Sequence, residues 1–176
     1  MSSMAKARSA NPLRPLFFAD RPMSTTSNLS TRSIGQLKQA FSASRSVSVN
    51  ELSGFYRGEA AGPWWFRLNS GPTLAMTGFG GWLGKQFLGE GRAVNMFERQ
   101  GATQQHFPMT LARRPSLIDG KDTLVLLYPA TARAPWCWVT DELRWASDGS
   151  ILGMTFVDRP LMKQLVFPFV LKPGQD

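Results

Sequence analysis

The stretch Gly54-Phe55-Tyr56-Arg57-Gly58 decides the fold, because it opens a run of short strand-like segments that extends almost to the C-terminus. If Gly54 to Ala60 is extended, Phe55, Arg57 and Glu59 point one way and Tyr56, Gly58 and Ala60 the other. The second face is aromatic and then small. Glycine in a strand offers nothing to pack, so the pair flanking Tyr56 predicts a bend or a close approach by another segment. A tightly closing barrel needs such places, and we read the stretch as the first strand of one.

Turn signals divide the chain that follows. Trp64 to Asn69, the turn Asn69-Ser70-Gly71-Pro72 and Thr73 to Thr77 read as a hairpin. Gly80 to Phe87, the turn Gly89-Glu90-Gly91 and Arg92 to Glu98 read as the next pair of strands. His106 to Ala112 is a further strand in which Pro108 predicts an edge or a bulge. Ile118-Asp119-Gly120-Lys121 turns the chain into Thr123 to Tyr128. Trp136 to Trp145, the turn Ser147-Asp148-Gly149-Ser150 and Ile151 to Val157 form a hairpin, and Leu161 to Leu171, with a bulge or edge at Pro168, closes the set. About eight or more short strands, with no helical pattern between them, predict an all-β antiparallel barrel, which leaves no open edge.

Ahead of the first strand, Ile34, Leu37 and Phe41 mark one apolar helical face, with Thr31 or Ser33 as its cap. This helix is expected on the barrel wall or in its mouth, and a second helical turn over Val49 to Leu52. The predicted organisation is a disordered basic leader over 1–30, a helical segment over 31–52 and the barrel over 53–173. Met23 is an alternative start within the leader.

The chain has 176 residues, 43% of them hydrophobic, and a net charge of +8. Its charge is unevenly placed. Lys6, Arg8, Arg14, Arg21, Arg32, Lys38 and Arg45 face Asp20 alone in residues 1–50, whereas the remainder is nearly balanced. The barrel region therefore lacks the basic stripe that neutralises phosphates, which argues against nucleic acid as a partner. Cys137 is the only cysteine and His106 the only histidine, so no disulfide forms within the chain and no paired-ligand metal motif occurs. No apolar run approaches the roughly 20 residues of a membrane-spanning helix. A soluble, cytoplasmic protein is expected, with organellar import through the Arg- and Ser-rich leader as the alternative.

Gly54 to Gly58 resembles the G-x-W-x-G opening of lipocalin-like barrels, with tyrosine in place of tryptophan. Gly81-Trp82-Leu83-Gly84-Lys85-Gln86-Phe87 is similar to a G-W-x-G-K-x-F segment in a family of small, largely uncharacterised proteins named after its own G-x-W-x-G motif. Leu152-Gly153-Met154 is similar to the C-terminal part of that family. The resemblance implies a calycin-type barrel with a ligand cavity. It also implies a cation from the last strand, Lys163 or Lys172, packed over Tyr56. No cofactor is expected. Haem is the one the resemblance leaves open, although the haem-ligating histidine of the related nitrobindins lies near the C-terminus and His106 lies mid-chain.

Within Trp136 to Trp145, alternation puts Trp136, Trp138, Thr140, Glu142 and Arg144 on one face and Cys137, Val139, Asp141, Leu143 and Trp145 on the other. An acid that lines the cavity requires a partner such as Arg144, Lys85 or Arg67. Cys137, between two tryptophans, reads as packing. Trp64, Trp65, Trp82, Phe87 and Met154 are the candidate apolar lining, with Tyr56 and Trp138 beside them. Lys85, Arg144 or His106 would fix a ligand's polar end. The reading is a carrier of a small apolar or amphipathic molecule, such as a fatty acid, isoprenoid or tetrapyrrole. The alternatives are an isomerase, cyclase or hydratase using Glu142, Asp141, His106 or Tyr56 as acid or base, and a protein-interaction module.

Overall fold

The computed structural model describes residues 29–64, 68, 79–160, 162 and 165–174. Helix α1 (Ile34–Ala43) is followed by β1 (Arg45–Ser46), β2 (Gly54–Ala60), β3 (Trp82–Gly89), β4 (Arg92–Arg99), β5 (Ala102–Pro115), β6 (Asp122–Leu127), β7 (Val139–Trp145), β8 (Ile151–Val157) and β9 (Val166–Pro173). Strands β2 to β9 close an eight-stranded antiparallel barrel in the order β7-β6-β5-β4-β3-β2-β9-β8, with β8 returning to β7. The two-residue β1 pairs with the end of β7, at Arg45↔Trp145 and Ser46↔Arg144.

Local chemistry sets most of the boundaries. Ser33 accepts from the Gln36 amide and the Gln36 side chain accepts from the Ser33 amide, which caps α1 reciprocally. Leu37 and Phe41 are fully buried against Leu152, Met154 and Val170, so the helix covers the outside of β8 and β9 and not the mouth. The expected helical turn before β2 is a 3-10 turn, Val49–Glu51. Val47 and Leu52, on either side of it, join the interior cluster and so close one end of the barrel. At the β7–β8 turn Asp148 accepts from both the amide and the hydroxyl of Ser150, and Gly149 takes a positive φ of 81°.

Several elements differ from the sequence reading. Trp136–Trp138 is a 3-10 turn, started by Pro135 in the right-handed helical region, so β7 begins only at Val139. Strand β5 starts at Ala102, because Gln100 and Gly101 both adopt positive φ and turn the chain there. Strand β9 starts at Val166 and not Leu161. Trp64 and Leu68 have helical backbone after Pro63, a residue suited to a helix start, and the rest of the hairpin expected over 64–77 lies outside the described residues. So do residues 1–28, Met23 among them, and Arg67.

Pro108 sits beside a ladder irregularity, and Pro168 lies where a neighbouring strand ends. The register of β4 and β5 jumps between Val94↔Pro108 and Asn95↔His106, leaving Phe107 as an extra residue at φ 55°. Pro168 shows no bulge against β8. Its carbonyl accepts from Ala61, just past the end of β2, so its missing N–H faces the side where that strand has run out.

Candidate functional site

Two residues three apart on a regular strand face opposite ways. Trp82 and Lys85 nevertheless both point into the barrel, because β3 bulges between Trp82 and Gly84 and Leu83 is the extra residue. Gly84, at φ 149°, lies so close to the Tyr56 carbonyl that a Cβ there would collide with it. The Trp82 ring occupies the space a side chain at Gly58 would need, and the Phe169 ring does the same over Gly153. The two rings meet edge to face at 5.9 Å.

Beside them lies a buried polar cluster drawn from five strands or their ends. The Lys85 ammonium donates to Asp141 Oδ2 at 2.8 Å and to Asn95 Oδ1 at 2.9 Å, and its third contact is the Met109 thioether at 3.6 Å. Both charged side chains are essentially sealed, at 2% and 3% exposure. Asp141 Oδ1 accepts from the Thr155 hydroxyl at 2.6 Å. Trp82 Nε1 also donates to Asn95 Oδ1, at 3.1 Å. Lys and Trp are donors only, so the Asn95 oxygen must face them and its amide nitrogen must face the other way. That nitrogen donates to the Tyr128 hydroxyl at 3.0 Å. Burial holds the Tyr128 phenol well above its ordinary pKa, with the Asp141 charge adding to the effect, so it stays protonated.

Toward the end of the barrel opposite Val47 and Leu52, this cluster gives way to aromatic rings. Phe79 stacks on Trp136 at 4.2 Å and on Phe107 at 5.5 Å, and meets Phe97 edge to face at 4.9 Å. Tyr128 packs on Trp136 at 5.5 Å. His106 sits against Phe97, with Nε2 3.0 Å from Gln104 Oε1. Trp138, half-buried, carries the Arg159 guanidinium over its ring. Among the described residues no three His, Cys, Asp or Glu side chains converge on a metal position.

A second buried polar cluster lies outside the barrel. Arg144 grips Asp119 with both terminal nitrogens, at 2.7 and 2.8 Å, and donates to the Phe41 carbonyl at 3.1 Å. Asp119 is held well below the ordinary carboxylate range, chiefly by that bond. Glu142 accepts from the Ser116 hydroxyl at 2.5 Å and the Leu117 amide at 2.7 Å, and burial raises its pKa.

Of the residues anticipated from sequence, Tyr56, Trp82, Lys85, Phe87 and Asp141 share the interior, and His106 stands near its aromatic end. Tyr56 meets Phe87 edge to face at 5.3 Å. Arg144, Glu142 and Met154 lie on the outer wall, beneath the helix and the 116–121 loop. Trp65 and Lys163 fall outside the described residues. Lys172 does not cover Tyr56: its ammonium pairs with Glu59 at the surface, 3.0 Å away, and the cation among the interior rings is Lys85, 5.4 Å from Phe169. Sequence reasoning overlooked Asn95 and Tyr128. The signal was present for Asn95, a lone amide between Val94 and Met96 in an apolar strand.

No family model matches the chain, and no functionally curated protein matches it. Its fold is similar to that of a crystal structure of a protein from Thermomonospora curvata, with a TM-score of 0.62 and 15% identity over 82% of this chain and 90% of that one. At that identity the likeness shows the fold alone.

Proposed function

We propose that the barrel binds a small apolar or amphipathic molecule, with its apolar body among the aromatic rings and its polar end at the Lys85, Asn95 and Tyr128 cluster. The observation that supports this most is the buried ion pair inside an otherwise apolar barrel. Burying two charges costs several kcal/mol per ion, and apolar side chains of similar volume usually stabilise a core as well or better. Stability alone is a poor reason for such a cluster; recognition of a polar group is a better one. The acids a catalytic role would use are committed elsewhere, Asp141 to Lys85 and Thr155 and Glu142 to Ser116 and Leu117.

Native mass spectrometry of the full chain purified from its own host, with an absorption spectrum of the same sample, tests this directly. The expected result is a retained lipid-sized mass. A band in the Soret region would make His106 the first residue to replace. An empty protein whose thermal stability ignores a panel of apolar ligands would overturn the proposal.

A further inference from the structure

We infer that the bound molecule presents a neutral hydrogen-bond acceptor, such as a ketone, aldehyde or ester oxygen, to the Tyr128 hydroxyl and the Lys85 ammonium, and that carboxylates are disfavoured. The inference rests on the binding role proposed above and narrows it to a ligand class. Three features of the interior carry it.

The first is the count of donors and acceptors. The Asn95 amide, oriented by Lys85 and Trp82, donates to the Tyr128 oxygen, so the phenolic proton points elsewhere. Among the described residues nothing accepts it, although Tyr128 is more than nine-tenths buried. The second is the weak third contact of Lys85. A thioether sulfur at 3.6 Å is a poor acceptor for an ammonium proton, and an oxygen in its place would bond more strongly. The capacity at Tyr128 is an unspent donor, and at Lys85 it is a donor spent on the buried Met109 thioether, which a ligand oxygen would have to displace. Asn95 bridges the two groups, through its oxygen to Lys85 and its nitrogen to Tyr128.

The third is charge. Lys85 is already neutralised by Asp141 at 2.8 Å, so the cluster as a whole carries none. A carboxylate entering here would add an uncompensated negative charge beside Asp141 in a sealed, apolar setting, which is costly. A carbonyl brings the acceptor without the charge. The raised pKa of Tyr128 agrees with a phenol kept protonated as a donor.

Matched ligands test the inference: an alkane, a methyl ketone and a carboxylate of equal chain length, and an isoprenoid set of the same design, titrated into the full chain by calorimetry at neutral pH. The ketone should bind roughly tenfold tighter than either counterpart, the usual worth of one buried hydrogen bond. Tyr128→Phe should remove most of the ketone-over-alkane preference. The bound ketone's carbonyl stretch, read by infrared spectroscopy, should lie at lower frequency than in hydrocarbon solvent and return toward it in Tyr128→Phe. Circular dichroism checks that the variant folds. Equal binding of alkane and ketone, or tightest binding of the carboxylate, would overturn the ligand class and leave the binding role standing. Failure of every member of both sets to bind would overturn both.

Discussion

Asp141 and Glu142 are neighbours on β7, yet each anchors a buried polar cluster on a different side of the barrel wall. The outer cluster adds backbone bonds to its side-chain ones: Glu142 receives the Leu117 amide and Arg144 reaches the Phe41 carbonyl. It fastens the helix and the 116–121 loop to the wall. The inner cluster is built chiefly from side chains, and its donors outnumber its acceptors. Buried charge thus serves as a fastener in the outer cluster and, under the proposed binding role, as a recognition surface in the inner one.

The largest expected effect breaks the inner cluster. Asp141→Ala leaves the Lys85 ammonium sealed without its counter-ion and should cost about 3–5 kcal/mol in urea denaturation. Replacing both, with Lys85→Met and Asp141→Leu, should recover most of that loss. A cost for Asp141→Ala no greater than that of a surface exchange would show that water reaches the pair, and the contrast between the clusters would fail.

Gly153→Ala comes next. Its methyl group would meet the Phe169 ring, which itself packs near Lys85, and the overpacking should cost roughly 1–3 kcal/mol by thermal melting. An unchanged melting temperature would mean that the interior has slack at this layer.

The outer cluster should respond to acid. Because Arg144 depresses the folded pKa of Asp119, the resulting stability is present above the ordinary carboxylate pKa of about 4 and is lost as pH falls through the lower folded value. Glu142 has the opposite sign: its folded pKa is raised, so it costs stability as pH rises from its ordinary value through the folded one. Asp119→Asn should therefore destabilise by about 1–2 kcal/mol at neutral pH, and the gap to the parent should close in acid. A gap that stays constant with pH would assign the Asp119 effect to packing.

Lys172→Ala is the smallest. Its exposed pair with Glu59 should contribute less than about 1 kcal/mol, against several for the cation inside.

Local chemistry was legible where it stays local. Thr31 or Ser33 as a cap, the Asp148-Gly149 turn and the small residue after Tyr56 announced a helix start, a hairpin and a close approach, and Ser33 proved to be the cap. Alternation also separated Asp141 from Glu142 correctly, but it could not say which face was inside. The site itself was obscured by parity. One extra residue at Leu83 brings Trp82 and Lys85 to the same side, and Phe107 is an extra residue in β5, so a strict period of two misassigns the residues beyond each bulge. Trp136 escaped because Pro135 sets a 3-10 turn where an apolar run reads as strand. Arg144 was assigned to the ligand because its true partner, Asp119, lies in the β5–β6 turn 25 residues earlier, a contact no local pattern encodes.

Arg144 has company at the end of α1. Its guanidinium reaches the Phe41 carbonyl, and Lys121, from the same loop as Asp119, reaches the next carbonyl, Ser42, at 3.0 Å. Two cations thus meet the negative pole of one short helix, and each is held by Asp119. In amide hydrogen exchange the last turn of α1 and residues 116–121 should consequently open as one cooperative unit, losing protection together and at a lower free energy than the barrel strands beneath them.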